Sequence, residues 1–343
     1  MSLLKYFGKR LLQMIPVVLG AITITFLLSR LTDYNPAVAY MPQSFTSEQL
    51  YAMEEALGLH DPLIVQYFIF LGQVFAGDWG NSLQIAEGMP VWDLIWLKFP
   101  RTMEITIFAI IFSSIIGIKT GVISAKHRNK VKDTVVRGVA LIGVSIPVFW
   151  LGILMQFFLS YQLGEISAFS FPTFGYKSAW YLDPPLITGF RTIDSLMSGN
   201  LLLFFDYLYH LFLPVLALTM ITIAGITRQA RSSMLEVLEQ DYIRTARAKG
   251  CKEKDVINKH ALKNALIPTI TVIGLNVGGL LGGAVLTETT FDLDGMGVLL
   301  ITAIRRFDFS VIYACVFVIS IVFVVVNLLM DLIYSYLDPR IRY

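Results

Sequence analysis

The chain has 343 residues, 55% of them hydrophobic and only 15% charged, with a formal net charge of +2. A soluble domain carries roughly 25% charged residues, so this composition excludes an ordinary water-soluble enzyme or nucleic-acid binder and describes an all-α polytopic membrane protein. The two cysteines, Cys251 and Cys315, fall in a charged stretch and an apolar run, so no disulfide is expected between them.

In chain order, the first element is the uncharged run over residues 11–29. It is longer than a signal-peptide core of about 7–15 residues and no small-residue cleavage site follows it, so it is read as a retained first helix. Residues 31–104 form the first outer segment. Within it, 46–58 (TSEQLYAMEEALG) has the pattern of a capped amphipathic helix. Residues 62–75 (PLIVQYFIFLGQVF) are apolar but too few for a span of about 20 residues. They predict a short helix flat on the outer surface, with Asp61 as cap, Pro62 at the first position and Gly77 beyond the end.

Five further runs, over 105–125, 138–160, 207–227, 264–287 and 311–330, complete six predicted spans. Lys119 and His210 are placed near span ends, where such side chains reach the interface. Pro16, Pro147, Pro214 and Pro268 are expected to kink their helices without ending them. The second outer loop, 161–206, has no helical period. Its aromatics, among them Phe169, Phe171, Phe174, Tyr176, Trp180 and Tyr181, are expected to form an interfacial belt, with ligand contact as the alternative. The fifth span carries Gly274, Gly278, Gly279, Gly282 and Gly283, whose GxxxG spacings permit close helix packing. Asn276 and Asn327 are expected to hydrogen-bond between helices. Residues 288–310 are read as a turn-rich acidic re-entry.

Charge fixes an orientation. With the N-terminus cytoplasmic, 19 of the 27 Lys and Arg fall inside and seven outside, whereas 17 of the 25 acidic residues fall outside. Both termini are then cytoplasmic, the transmembrane domain occupies 105–343, and 31–104 forms a small extracellular helical cap. The densest cationic segment is the loop 228–263, with nine Lys and Arg. Asp241 can cap a short helix there, Tyr242, Ile243 and Ala246 give it apolar faces, and Gly250 stops it. Residues 252–262 predict a second helix, with re-entry at Asn264. On charge alone such a loop only fixes topology.

Sites for chemistry are missing from this pattern. There is no phosphate-binding loop, no HExxH and no GxSxG, and the four histidines lie in four separate segments. No acidic residue lies in the middle third of a predicted span, which argues against an ion-coupled carrier.

The order Asp241-Tyr242-Ile243-Arg244-Thr245-Ala246-Arg247-Ala248-Lys249-Gly250, then Lys259-His260-Ala261-Leu262-Lys263-Asn264-Ala265-Leu266-Ile267-Pro268, resembles the cytoplasmic coupling (EAA) loop of dipeptide/oligopeptide-type ABC importer permeases. Gly77-Asp78-Trp79-Gly80, Ser145-Ile146-Pro147-Val148-Phe149-Trp150, Leu281-Gly282-Gly283-Ala284-Val285 with Glu288-Thr289, and the closing Asp338-Pro339-Arg340-Ile341-Arg342-Tyr343 extend the resemblance over almost the whole chain, to the first permease of the pair. One departure is that Arg244-Thr245-Ala246 stands where the general signature has Glu-Ala-Ala, so no glutamate salt bridge is carried over.

The resemblance implies a non-catalytic permease of the cell membrane that moves di- or oligopeptides. Its implied partners are a second permease, two cytoplasmic ATPases, an extracellular solute-binding protein and membrane lipids, with no nucleic acid. It implies no cofactor on this chain, ATP and Mg being used by the ATPases, and coupling through Asp241, Tyr242, Arg244, Thr245, Ala246, Arg247, Lys249 and Gly250. Oligosaccharides or nickel complexes are the alternative cargoes; an ion-coupled carrier and a membrane enzyme are the competing classes.

Overall fold

A computed structural model describes residues 3–32, 34–42, 44–167 and 169–337; the closing motif at 338–343 and the surroundings of Gly282 and Gly283 lie outside the described residues. The order is α1 (Leu3–Arg30), a 3₁₀ turn (Pro36–Tyr40), α2 (Ser47–Ala56), α3 (Leu63–Ala76), α4 (Val91–Lys126), α5 (Val131–Ser145) and α6 (Val148–Met155). A π-helical turn and α7 (Leu163–Ile166) follow, then α8 (Arg191–Met197), α9 (Leu201–Leu238), α10 (Asp241–Ala248) and α11 (Glu253–Asp255). A second π-helical turn (Val256–Ala261) leads into α12 (Leu262–Thr290), with α13 (Met296–Arg306) and α14 (Phe309–Leu337) completing the chain. Among the described residues, five helices are long and apolar enough to cross a membrane, or six if the bent pair α5–α6 is one span.

The long helices outrun the apolar runs that predict them. α4 has 36 residues and α9 has 38, so each is more than about 50 Å long at 1.5 Å per residue, against a hydrocarbon core of about 30 Å. Hydropathy registers only the uncharged middle, and the polar ends continue the helix beyond it. α4 and α9 run parallel in close register. A Cβ on Gly117 would lie 2.7 Å from the Ile226 side chain, and one on Gly121 would lie 2.6 Å from the Ala230 Cβ and 2.9 Å from the Thr227 carbonyl. This second GxxxG face forms the bundle's central contact. α12 runs against α14, where Gly274 faces Met330 and Gly278 faces Phe323, both at 2.6 Å from an ideal Cβ; Gly279 meets nothing within 4 Å.

The third predicted span is not one rod. α5 and α6 meet at an angle of 104°. Ile146, forced toward extended backbone by the following proline, has φ −94° and ψ 125°, so Pro147 breaks the helix where a kink was expected. The predicted helix over 252–262 also differs. α11, the π turn and α12 are contiguous, so the charged stretch rises directly into the long helix without a separate element.

The helices of the segment between α1 and α4 form largely where they were predicted. Thr46 caps α2 in a reciprocal box with Gln49, the two bonds measuring 3.3 and 2.9 Å. α3 packs Phe70 and Val74 on Ile22 and Phe26 of α1, and Gly77 closes it at φ +72°. Pro62 itself holds the cap position, with no side-chain cap bond, so Asp61 is not the cap. Asp308, almost fully buried at the start of α14, ties this segment down by accepting from Ser82 Oγ at 2.7 Å and from the Leu83 and Gln84 amides at 3.1 Å.

The two other connections are better ordered than expected. Residues 288–310 contain the 11-residue helix α13. The Met296 amide donates to Thr102 Oγ1 at 2.8 Å, and the Val298 amide donates to Glu288 at 2.9 Å, so side chains of α4 and α12 cap α13. The 161–206 loop contains α8, held to α4 by Glu104, which accepts from the Thr192 amide at 2.9 Å and from its hydroxyl. Tyr176 is buried in the core and Phe171 and Tyr181 pack against it, so these aromatics are core, whereas Phe169, Phe174 and Trp180 are exposed. Asn276 makes no interhelical bond through its buried Nδ2 among the described residues.

Two outcomes follow from this packing. Gly121→Leu is expected to lower the thermal stability of the detergent-solubilised chain by about 1–3 kcal/mol through overpacking, whereas Gly279→Leu leaves it unchanged; melting followed by size-exclusion fluorescence reads both. Asp194 is the second case. Burial pushes its carboxyl up, but hydrogen bonds from Thr188 Oγ1 and the Thr188, Ile187 and Gly189 amides outweigh this and hold it below the usual carboxylate range. A carboxyl with a depressed folded-state value contributes stability that is full above the usual carboxylate range and is lost as pH falls below that range through the lowered value. Hydrogen-exchange protection of amides 187–189 should therefore drop on acidification, and Asp194→Asn should remove that dependence.

Candidate functional site

The cationic stretch forms one compact surface at the end of the bundle where α4 and α9 terminate. α10 is too short to be stable as an isolated helix, since helices under about 12 residues are marginal in water, so tertiary packing has to hold it. Ile243, fully buried, and Ala246 supply that contact, clustering with Ala125 of α4, Met234 of α9 and Val256, Ile257 and Ala261 below α12. Every other α10 residue is exposed. Gln240 holds the N-cap position without a side-chain bond, and Asp241 is the first helical residue. The predicted Asp241 cap is thus displaced by one residue.

The C-terminus closes as predicted. Gly250 sits at φ +78°, the left-handed conformation that glycine adopts without strain. The Cys251 amide donates to the Ala246 carbonyl at 3.2 Å and the Gly250 amide to that of Arg247 at 2.9 Å, which is a Schellman closure. Beyond it, the Arg247 guanidinium donates twice to Glu253, at 3.2 and 2.9 Å, fixing the turn between α10 and α11. Asn264 donates to the Tyr242 hydroxyl at 2.7 Å, joining α10 to the start of α12.

Arg244, with Asp241 3.3 Å away as its i,i−3 partner, and Thr245, Ala248 and Lys249 face outward. The structure therefore brings the predicted residues Asp241, Tyr242, Arg244, Thr245, Ala246, Arg247, Lys249 and Gly250 into one element. It also divides them, with Ala246 as anchor, Tyr242, Arg247 and Gly250 as brace, and the remainder as displayed surface.

Sequence reasoning missed the clamp behind this surface. Asp133, at the start of α5, is fully buried. It accepts from Arg231 Nε at 2.7 Å and Nη2 at 2.8 Å, from Ser124 Oγ at 2.5 Å and from the Asn129 amide at 2.9 Å. A bidentate guanidinium–carboxylate pair is among the stronger polar contacts, and this one locks α4, α5 and α9 together at the end that carries α10. Arg231 had been counted as a loop cation because the apolar run of α9 stops at Thr227. The one available signal was Asp133 itself, the single acidic residue in a stretch of five cations between residues 126 and 137.

A family model described as "Binding-protein-dependent transport system inner membrane component" matches residues 117–343, and its N-terminal counterpart matches residues 3–106. The chain belongs to this family. Permeases of the family include the dipeptide transport system permease protein DppB of Alkalihalophilus pseudofirmus, 42% identical over 342 residues that cover 99% of this chain and 100% of the relative. DppB of Escherichia coli K12 is 38% identical, covering 99% of both chains. The oligopeptide transport system permease protein AppB of Bacillus subtilis is 36% identical, covering 98% of this chain and 99% of its own. Among solved structures, a chain of the inward-facing MetNI methionine ABC transporter superposes with a TM-score of 0.53 at 17% identity, covering 72% of this chain and 98% of that one. That likeness concerns the fold. As an ABC permease family member with five or six apolar helices, the chain is a multi-pass protein of the cell membrane.

Removing the Asp133 carboxylate tests the clamp. Asp133→Ala leaves Arg231 without its partner, and breaking a buried pair in this way costs on the order of 3–5 kcal/mol. The purified variant should melt well below the parent, and Arg231→Met together with Asp133→Ala should recover part of the loss.

Proposed function

We propose that this chain is the permease subunit of an ATP-driven ABC importer of di- or oligopeptides, coupled to cytoplasmic ATPases through α10. The observation that carries the reading is the α10 surface, a rigidly braced, cation-displaying helix joined to two long helices, in a chain whose relatives are named as dipeptide and oligopeptide permeases. In this reading both termini and α10 are cytoplasmic, α5 and α6 together make one of six crossings, and α2 and α3 cap the outer face. A second permease completes the path, and a solute-binding protein delivers cargo to the outer segments. ATP is hydrolysed by the partner subunits, and this chain contributes no catalytic group.

The mechanism follows from stiffness. α9 enters α10 through only Glu239 and Gln240, and α10 leaves through the Gly250 turn and the Arg247–Glu253 pair. A partner that grips Arg244, Thr245 and Lys249 and moves as its nucleotide sites close therefore drags α9 and α12 with it. Because Ile243 is shared with the ends of α4 and α9, the displacement passes to the bundle as a rigid-body rotation instead of dissipating in a floppy loop.

Breaking the turn should uncouple the machine. Gly250→Pro, which imposes φ near −65° where +78° is required, or a deletion within 244–250, is expected to abolish ATP-driven peptide uptake while membrane insertion persists. Uptake assays with radiolabelled dipeptide, paired with membrane immunoblots, check both; normal uptake would overturn the coupling assignment.

A further inference from the structure

A cleft of about 550 Å³ opens between α5 and α9 at the α10 end of the bundle, and nothing in the coupling mechanism uses it. Its lining includes Thr134, Arg137 and Leu141 from α5 and Thr227, Arg228 and Arg231 from α9. Of the three guanidiniums, Arg231 is bound bidentately to Asp133. Arg137 reaches the same carboxylate only at 3.9 Å and is 56% exposed. Arg228 is exposed and makes no ion pair among the described residues. One carboxylate thus answers three cations, and the cleft keeps an excess of two positive charges.

The height of the cleft is set twice over. On α5 the basic segment ends at Arg137 and the apolar run begins at Gly138; on α9 the apolar run ends at Thr227 and the basic segment begins at Arg228. The two boundaries, read from separate parts of the sequence, meet across one cleft. That level is where a bilayer changes from hydrocarbon to headgroup. Val139, Leu141 and Ile142 are all more than half exposed on the same helix, offering acyl-chain contact beside the charges. We propose that this cleft binds the phosphodiester headgroup of an anionic phospholipid, with Arg137 and Arg228 on the phosphate oxygens and the first acyl carbons along Leu141. Guanidinium forks match phosphate geometry, and basic pockets between membrane helices near the surface are suited to such headgroups. A soluble anion would satisfy the arginines but leave the apolar wall unused.

The test uses the assembled importer, purified in mild detergent and titrated with phosphatidylglycerol or phosphatidylcholine, with bound lipid counted by native mass spectrometry. Retention of phosphatidylglycerol over phosphatidylcholine is expected, with affinity falling roughly fivefold for Arg137→Gln and for Arg228→Gln, and less for the lysine replacements. Both arginines are exposed, so the single variants should assemble even where the double variant does not. Equal retention of phosphatidylglycerol by parent and variants, or none by the assembled importer, would overturn the proposal. Displacement of the lipid by a small excess of inorganic phosphate would overturn it in favour of a free-anion site.

Discussion

Two side chains, Ile243 and Ala246, hold the α10 surface of this permease in place. An eight-residue helix with three charged side chains has no stability of its own. Burying one isoleucine among Ala125, Met234, Val256 and Ile257 stabilises by only about 2–3 kcal/mol, yet it converts a loop into a fixed part of the bundle. The same contact decides which residues can meet a partner, because with Ile243 turned inward Arg244, Thr245 and Lys249 must turn outward. The Asp133–Arg231 clamp provides the firm base, since the α9 end that carries α10 is itself pinned to α4 and α5 by four hydrogen bonds to one carboxylate.

The opposite end of the bundle is organised on the same physical rule. Chain that is neither helix nor strand must still satisfy its buried amides, and here carboxylates do so. Asp308 receives the 82–84 turn, Glu104 the start of α8, Glu288 the start of α13 and Asp194 the 187–189 turn. Gln156, at the π-helical turn after α6, donates to the Thr173 and Thr290 carbonyls at 2.8 and 3.0 Å and so sews the long 161–206 connection to α12. Long connections are thereby tied to the spanning helices, with only the short helices α8 and α13 as regular structure of their own. One end of the molecule is built to stay closed-packed, and the other displays charge.

What was legible in the sequence was whatever depends on neighbours in the chain. The α2 capping box, the Gly77 and Gly250 closures and the apolar cores of the long helices are local, and all appear in the structure. What was not legible depends on residues far away. α13 looked like a turn because Asp292, Asp294, Gly295 and Gly297 crowd its start, and the groups that cap it, Thr102 and Glu288, are supplied by other helices. Tyr176 looked like an interface aromatic because hydropathy cannot tell a ring at the membrane surface from one folded back beneath it. The Gly117/Gly121 face escaped notice because only two glycines carry it, whereas α12 has a conspicuous cluster of which Gly279 would meet nothing within 4 Å of a Cβ among the described residues. Nothing local sets Pro147 apart from the other three prolines, yet Pro16, Pro214 and Pro268 lie inside continuous helices whereas Pro147 breaks one.

The claim on which the account rests is that the displayed face of α10 seats an ATPase. A photo-crosslinking amino acid at position 244, introduced into the tagged chain within its assembled complex, tests it most directly, with position 142 on the exposed apolar side of α5 as the control. Position 244 is expected to cross-link to a subunit carrying a phosphate-binding loop, and position 142 is not. A second permease that co-purifies while position 244 yields no ATPase adduct would contradict it.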